Sequence, residues 1–148
     1  GNNMVNSLIV GCLKVGMEVS VACPEGYDPH PDVLAFAREA GHGFSLVRDP
    51  LEAAAGVDVV FTDVWASMGQ EEEAAQRRAA FRGYQVNEAL MAVTDPRCMV
   101  QHCLPAHRGE EITAEVFEAH AGEIFDEAEN RLHAQKAVLC LLMGGDAR

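Results

Sequence analysis

The chain has 148 residues, 49% of them hydrophobic and 23% charged, a composition typical of one globular domain. Its formal net charge of −12 at pH 7 disfavours a nucleic-acid partner, because such affinity depends on clustered Lys and Arg side chains. No apolar run reaches the roughly 18 residues of a membrane-spanning helix, and the first residues lack the basic and apolar segments of a signal peptide. We therefore expect neither a nucleic-acid partner nor a membrane association.

Helices and strands are predicted to alternate along the chain. Helical spacing predicts helices over 4–10, 33–40, 51–55, 70–81, 87–93 and 128–142, the first capped by an Asn, and apolar or β-branched runs predict strands over 17–23, 44–47, 57–61 and 98–104. This order predicts an α/β domain with a doubly wound parallel sheet and helices on both faces, a Rossmann-like three-layer architecture. Because a strand normally precedes a helix with an Asn or Gly cap in such folds, we expect that the first strand is missing and that the chain is a fragment.

The five cysteines include no C-x-x-C pair and have no regular spacing. This pattern is typical of reduced thiols rather than of a disulfide framework, and it predicts a cytoplasmic protein. Cys12 and Cys140 lie among apolar residues at helical spacing, so we expect both to be small core residues. Cys103 differs from them because histidines and a proline surround it.

Three polar stretches fall where open α/β sheets bind ligands. They are GNN at residues 1–3, TDVWASMGQ at 62–70 and HCLPAHRGEEIT at 102–113. Ligands of such sheets bind at the carboxyl ends of the strands, so these stretches are predicted to meet in one crevice. Asp63 directly follows a buried strand, where a carboxylate needs a partner or a cationic ligand, although a single Asp there is as often a loop cap.

The second stretch has two interpretations. Ser67 and Gln70 have the spacing of a capping box, which predicts that Ser67 starts the next helix. Alternatively, free N–H groups near Met68 receive a ligand carboxylate. The glutamates at 71–73 would weaken an anion site unless they turn to solvent. The residues alone leave both interpretations open.

The third stretch has three candidate functions: a zinc site, a nucleophilic cysteine, or a loop that shapes a pocket. His102, Cys103 and His107 would supply three zinc ligands, but no second ligand pair completes the set, and adjacent residues of an extended segment point to opposite faces. A covalent cysteine needs a base and an orienting third group, and the spacing to His107 gives no support for them. The pattern favours the pocket loop.

Four stretches together resemble the ornithine carbamoyltransferase family. GNNMVNSL, TDVWASMGQE, HCLPAHRGEEIT and FDEAENRLHAQKA match its order and spacing, and the likeness to its second, ornithine-binding domain covers essentially the whole chain. The resemblance implies transfer of a carbamoyl group from carbamoyl phosphate to the side-chain amine of L-ornithine, which gives citrulline and phosphate. It further implies a role in arginine biosynthesis, no cofactor or metal, and a homotrimer or a multiple of trimers in the full-length enzyme.

The resemblance also implies which residues hold ornithine. Asp63 would face the α-ammonium group. Asn3 and the backbone of Ser67 and Met68 would take the carboxylate. Cys103 would lie at the reacting centre, so that Asp63 and Cys103 are the expected catalytic residues.

Carbamoyl phosphate would contact Cys103, Leu104 and Arg131 by the same resemblance. The family's other domain, with an S-x-R-T-R phosphate loop and an H-P-x-Q segment, has no counterpart in these 148 residues. The chain is therefore expected to be half of an enzyme and inactive by itself.

Rival functions belong to different classes. A carbamoyltransferase for putrescine would not need the part of the site that binds a substrate carboxylate, and the SMG motif provides that part. A nucleotide-binding domain would need a G-x-G-x-x-G after a strand, which the sequence lacks. A non-catalytic amino-acid-binding remnant is the third alternative.

Overall fold

In the computed structural model, which describes residues 1–41, 43–66 and 73–144, helices and strands alternate along the chain. The helices are α1 (Asn3–Lys14), α2 (Pro31–Ala40), α3 (Pro50–Ala54), α4 (Ala74–Ala80), α5 (Glu88–Met91), α6 (Ala114–Ala119) and α7 (Ala121–Met143), and the strands are β1 (Val19–Ala22), β2 (Phe44–Val47), β3 (Val59–Thr62) and β4 (Met99–His102). The predicted α/β class, with parallel strands flanked by helices, is confirmed.

Local signals in the sequence set several of these boundaries. The Asn2 side chain accepts a hydrogen bond from the Val5 N–H and caps α1. Gly41 ends α2 in the left-handed conformation, with φ 73°, which glycine adopts without steric cost. Helix α6 was not predicted, although Thr113 caps it by accepting from the Val116 N–H. The predicted helix over 70–81 is described only from residue 73 onward.

The strands form two parallel pairs instead of one continuous sheet. β1 pairs with β2 with Val19 opposite Phe44, and β3 pairs with β4 with Val59 opposite Met99. Within the described residues, no strand joins the free edge of β1 to the free edge of β3. The strands of the predicted Rossmann-like domain are therefore parallel and fall into two pairs, with a space between the pairs.

Each pair of strands has its own apolar core. Ile9 of α1 is fully buried in the cluster around β1, and Val100, Ile112 and Ile124 are fully buried in the cluster around β3 and β4. The side chains of these residues exclude water from the sheet faces, which is the main contribution to stability in a domain of this kind.

Helix α7 begins seven residues before the predicted start at 128, and its second half is not part of either core. Leu132 is 63% exposed and Leu141 is 81% exposed, although both belong to the apolar residues of this helix. Cys140 is also exposed, so its prediction as a core residue was wrong, whereas Cys12 is half-buried. No helix among the described residues is long and apolar enough to cross a membrane.

Candidate active site

The loop after β4 has a fixed backbone at the carboxyl end of the sheet. The Leu104–Pro105 peptide bond is cis, and Leu104 has a φ of 55°, the left-handed region that L-residues seldom adopt. The Leu104 N–H donates to His102 Nδ1 at 3.0 Å. His102, the last residue of β4, therefore holds the loop that follows it.

His102 is itself held by Glu111, and both side chains are fully buried. Because His102 Nδ1 accepts a hydrogen bond, the neutral ring carries its proton on Nε2, which lies 3.1 Å from Glu111 Oε1 and donates to it. The His107 N–H donates to the same oxygen at 2.5 Å. Burial raises the pKa of the Glu111 carboxyl, but the bonds from His102 and the His107 backbone outweigh it, so that the pKa lies below its ordinary value.

Cys103 faces the end of β3. Its Sγ donates to Asp63 Oδ1 at 3.2 Å. Asn2, the cap of α1, donates from Nδ2 to Asp63 Oδ2 at 2.7 Å, and the Val64 N–H donates to Oδ1 at 2.8 Å. The predicted meeting of three polar stretches is thus built around the Asp63 carboxylate, which Asn2 contacts from the first stretch and Cys103 from the third.

The Asp63 carboxylate keeps room for a further donor. A carboxylate offers about four lone-pair positions, and the three donors above occupy three of them. The N-terminus of α1 carries a partial positive charge on the same side of the site. A carboxylate beside a helix N-terminus is complementary to a small molecule that bears one positive and one negative group.

The Cys103 thiol stays protonated at neutral pH. Burial, together with the hydrogen bond to Asp63 and the negative charges of Asp63 and Glu127, raises the pKa of Cys103 to about 12. The thiolate is the nucleophilic form of cysteine, so this environment disfavours covalent catalysis by Cys103. A neutral thiol instead contributes a weak hydrogen-bond donor and a compact wall to the site.

Two cavities meet at Cys103. One, of about 890 Å³, is lined at the carboxyl end of the strands by Asn3, Asp63 and Cys103. The other, of about 690 Å³, is lined by Cys103, Leu104 and Arg131. The fold thus divides the predicted residues between two neighbouring spaces, and Cys103 lies at their junction.

Ser67 and Met68 lie outside the described residues, so neither the capping interpretation nor the carboxylate interpretation is tested. The segments on either side of them are anchored by aromatic packing. Trp65 stacks on Phe81 with ring centroids 6.1 Å apart, and Phe81 contacts the edges of Tyr27 and Tyr84. This packing holds the end of α4 beside the first cavity.

One geometric argument against a zinc site does not hold in the structure. Ligand atoms of Asp63, His102 and Cys103 lie within 4.8 Å of one another, so the expectation that His102 and Cys103 face apart was wrong. However, both ring nitrogens of His102 are engaged, one with the Leu104 N–H and one with Glu111. Zinc binding would break one of these bonds and deprotonate the thiol, and His107 lies in a separate group with Glu110 and Glu111.

Three residues of the site were missed by sequence reasoning. Asn2 was read only as a helix cap, yet its amide also fixes Asp63. Glu111 lies in the quoted HCLPAHRGEEIT stretch, but two adjacent glutamates give no signal of which one is buried. Glu127 of α7 carries an oxygen that is buried without a hydrogen-bond partner, and burial raises its pKa.

Comparison with known proteins gives one consistent result. The family model "Aspartate/ornithine carbamoyltransferase, Asp/Orn binding domain" matches residues 1–142. The ornithine carbamoyltransferase of Gloeobacter violaceus is 55% identical, and the match covers 98% of this chain and 48% of that protein.

Solved structures agree with the family match. The anabolic ornithine carbamoyltransferase of Campylobacter jejuni superposes with a TM-score of 0.92 at 41% identity, covering 97% of this chain and 48% of that one. The ornithine carbamoyltransferase of Pyrococcus furiosus gives 0.89 at 51% identity, covering 99% of this chain and 48% of that one. This chain therefore spans about half the length of the relatives it matches.

Proposed function

The chain belongs to the aspartate/ornithine carbamoyltransferase family through its Asp/Orn binding domain, and from this premise we propose that it supplies the ornithine-binding half of an ornithine carbamoyltransferase. The reaction transfers a carbamoyl group from carbamoyl phosphate to the side-chain amine of L-ornithine and releases phosphate and citrulline. The observation that carries the proposal is the position of Cys103 between two cavities, each lined by residues suited to one substrate.

The charge pattern of the first cavity suits the amino-acid end of ornithine. The α-ammonium binds the remaining lone-pair position of Asp63, and the carboxylate binds the N-terminus of α1 with the Asn3 amide. Ser67 and Met68 add backbone N–H groups to the carboxylate in this proposal. Bound in this way, ornithine directs its side-chain amine towards Cys103.

The second cavity suits carbamoyl phosphate. Arg131 lines it together with Leu104 and offers a guanidinium to the phosphate, while Cys103 lies where the carbonyl meets the amine. The amine must lose a proton before it attacks, although it ordinarily titrates near 10. Desolvation in the closed crevice favours the neutral form, and an acceptor beside Cys103 takes up the released proton in this proposal. Positioning of the two substrates supplies much of the acceleration.

Phosphate binding by this chain alone would be weak in this proposal. A phosphate dianion needs several fixed cationic or N–H donors, and Arg131 is the one basic residue among the site residues named above. We therefore propose that the chain forms no citrulline by itself. Activity requires a second, phosphate-binding domain, and the assembled enzyme is a homotrimer or a multiple of trimers.

A chimera tests this function. The part of the Gloeobacter violaceus relative that lies outside the match is joined to this chain, and citrulline formation is measured for the chimera and for the chain alone. The chimera is expected to form citrulline from ornithine but no carbamoylputrescine from putrescine, which has no carboxylate to bind at the N-terminus of α1. Equal use of putrescine, or citrulline formation by the chain alone, would contradict the proposal.

The matched pair Asp63→Asn and Asp58→Asn tests the ammonium site within that chimera. Asp58 lies before β3, at the other end of the strand, and is exposed. Loss of one charged hydrogen bond predicts a roughly 10- to 100-fold higher KM for ornithine in Asp63→Asn, with little change in KM for carbamoyl phosphate. Asp58→Asn should leave both constants unchanged. Ornithine binding to the chimera without turnover would favour a non-catalytic amino-acid-binding module.

A further inference from the structure

Three side chains of metal-ligating type meet in the loop after β4. Ligand atoms of His107, Glu110 and Glu111, called the turn cluster below, lie within 4.8 Å of one another. None of the three residues lines either of the cavities that meet at Cys103. His107 is exposed and Glu110 is partly exposed, whereas Glu111 is fully buried. The turn cluster is therefore separate from those cavities, and solvent reaches it through His107 and Glu110.

Glu111 carries an oxygen that no protein group satisfies. Its Oε1 accepts from His102 Nε2 and from the His107 N–H, at 3.1 and 2.5 Å. Its Oε2 is buried and, among the described residues, has no hydrogen-bond partner. A buried oxygen of this kind gives up hydration without compensation, and native structures usually satisfy such atoms with an ion or an ordered water. Oε2 thus indicates a ligand at Glu111 independently of the spacing within the turn cluster.

The charge of Glu111 favours a cation over a water molecule. Burial raises the pKa of this carboxyl, but the hydrogen bonds from His102 and the His107 backbone bring the pKa below its ordinary value. The carboxylate is therefore ionised at neutral pH, and its donor His102 is a neutral ring. No Lys or Arg side chain in the described part of the chain forms an ion pair with Glu111. A buried negative charge without a cationic partner is costly, so a bound cation stabilises it.

The backbone of the turn is fixed before any ligand binds. The Glu110 N–H donates to the His107 carbonyl at 2.9 Å, and the Gly109 N–H donates to the Ile112 carbonyl at 2.7 Å. Gln85 Nε2 donates to the carbonyls of Gly109 and Glu110, at 3.0 and 2.8 Å. Because these bonds hold the ligand residues in position, coordination of an ion orders little further chain and costs little entropy.

The spacing of the turn cluster is close to that of a small metal site. Ligand atoms about 2.1 Å from a tetrahedral metal ion lie roughly 3.4 Å apart. From separations of at most 4.8 Å, the side chains close on an ion with shifts of about 1 Å. Rotation of the His107 and Glu110 side chains supplies such shifts while the buried Glu111 stays in place.

Neighbouring arginines leave the turn cluster accessible to a cation. Arg78 Nε pairs with Glu110 Oε1 at 3.0 Å, but Arg78 is 55% exposed, and a surface pair of this kind is weak. A divalent cation therefore competes with Arg78 for the Glu110 carboxylate. Arg108 pairs with Glu118 at 2.7 Å, and its guanidinium lies 4.2 Å from the centre of the Phe117 ring, so its charge is engaged outside the cluster.

We propose that the turn cluster binds one divalent transition-metal cation of the Zn²⁺ class through one imidazole nitrogen and two carboxylates. Imidazole is a ligand for Zn²⁺ and its neighbours in the first transition row, whereas Mg²⁺ and Ca²⁺ prefer sites made of oxygen ligands. Water fills the fourth position. The net charge of −12 raises the concentration of cations around the chain. The group of Asp63, His102 and Cys103 is a weaker candidate, because both ring nitrogens of His102 are engaged.

Calorimetric titration of the chain with Zn²⁺ tests the site, and it needs neither substrate of the proposed reaction. All proteins carry Cys103→Ser, which removes the thiol of the other candidate group. We expect one Zn²⁺ per chain, bound at least about tenfold more weakly after His107→Ala or Glu110→Gln. His133→Ala is the matched control and should leave the affinity unchanged. His133 Nε2 also lies 3.1 Å from a glutamate, Glu129, but on the exposed surface of α7.

Arg78→Gln should change the affinity in the opposite direction. It removes the guanidinium that competes for Glu110, so Zn²⁺ should bind roughly two- to fivefold more tightly. Unchanged or weaker binding in Arg78→Gln, no binding to the parent, or equal effects of His107→Ala and His133→Ala would overturn the proposal. Displacement of Zn²⁺ by an equal concentration of Mg²⁺ would show attraction by exposed carboxylates alone and would also overturn it.

NMR on the chain with its ligand residues intact covers the case in which circular dichroism shows that a ligand variant does not fold. Zn²⁺ is added to protein labelled with ¹⁵N at histidine, and the ring nitrogens are followed. A changed shift at one ring nitrogen of His107, with His30 and His133 unmoved, supports the site. An equal response of these three exposed histidines, or a response confined to His102, overturns it.

Discussion

Removal of the Glu111 carboxylate should destabilise the chain strongly. Glu111 is fully buried, and its Oε1 accepts from His102 Nε2 at 3.1 Å and from the His107 N–H at 2.5 Å. In Glu111→Ala both donors stay buried without an acceptor, and each orphaned donor costs about 1–3 kcal/mol. The expected loss in the free energy of unfolding is roughly 2–6 kcal/mol, which lowers Tm by roughly 4–24 °C for a domain of this size.

Glu110→Ala is the matched control for this experiment. Glu110 pairs with Arg78 at 3.0 Å on the surface, where the two side chains are 32% and 55% exposed, and such a pair contributes about 0–1 kcal/mol. The bond from Gln85 goes to the Glu110 main-chain carbonyl, which alanine keeps. Urea and thermal unfolding, followed by circular dichroism, compare both variants with the parent chain. Losses that agree within about 0.5 kcal/mol would refute the assignment of Glu111 as the buried acceptor.

Three further outcomes follow from the same structure. The native Glu111 pKa lies below its ordinary 4.5, so the free energy of unfolding should fall as pH drops below 4.5, less steeply in Glu111→Gln than in the parent. Iodoacetamide at pH 8 should modify Cys103 at least about a hundredfold more slowly than the exposed Cys140, because the Cys103 pKa is about 12; peptide mass mapping measures both rates. Ile124→Ala should lower the free energy of unfolding by about 2–5 kcal/mol, whereas Leu141→Ala should change it by less than about 0.5 kcal/mol in a urea titration.

The sequence predicted best those elements whose structure depends mainly on the residues within them. β-Branched and continuous apolar runs marked all four strands, since such side chains fit a covered, pleated surface. The predicted convergence of polar stretches at the strand ends followed from the order of the strands. In the structure, Asp63 and Cys103 meet there in a hydrogen bond. These inferences need no knowledge of how the loops close.

The features that sequence reasoning missed depend on tertiary packing. The bond between His102 and Glu111 requires the loop between them to turn back, and the spacing of nine residues does not reveal this turn. The exposure of Cys140, which was predicted to be a core residue, was missed for a related reason. Helical spacing shows that apolar residues share a face, but burial depends on what packs against that face.

The charges around Cys103 separate the two binding tasks that the proposed reaction requires. Asp63 and Glu127 both act on the thiol and raise its pKa, so the centre of the site is rich in negative charge. Such a centre favours the cationic end of an amino acid and opposes a phosphate dianion, whereas the guanidinium of Arg131 lines the second cavity. In the proposed function, residues of this chain would bind ornithine, whereas carbamoyl phosphate binding would depend on cations contributed by another domain. The two affinities should therefore respond independently: changes at Asp63 act on ornithine, and addition of a phosphate-binding domain acts on carbamoyl phosphate.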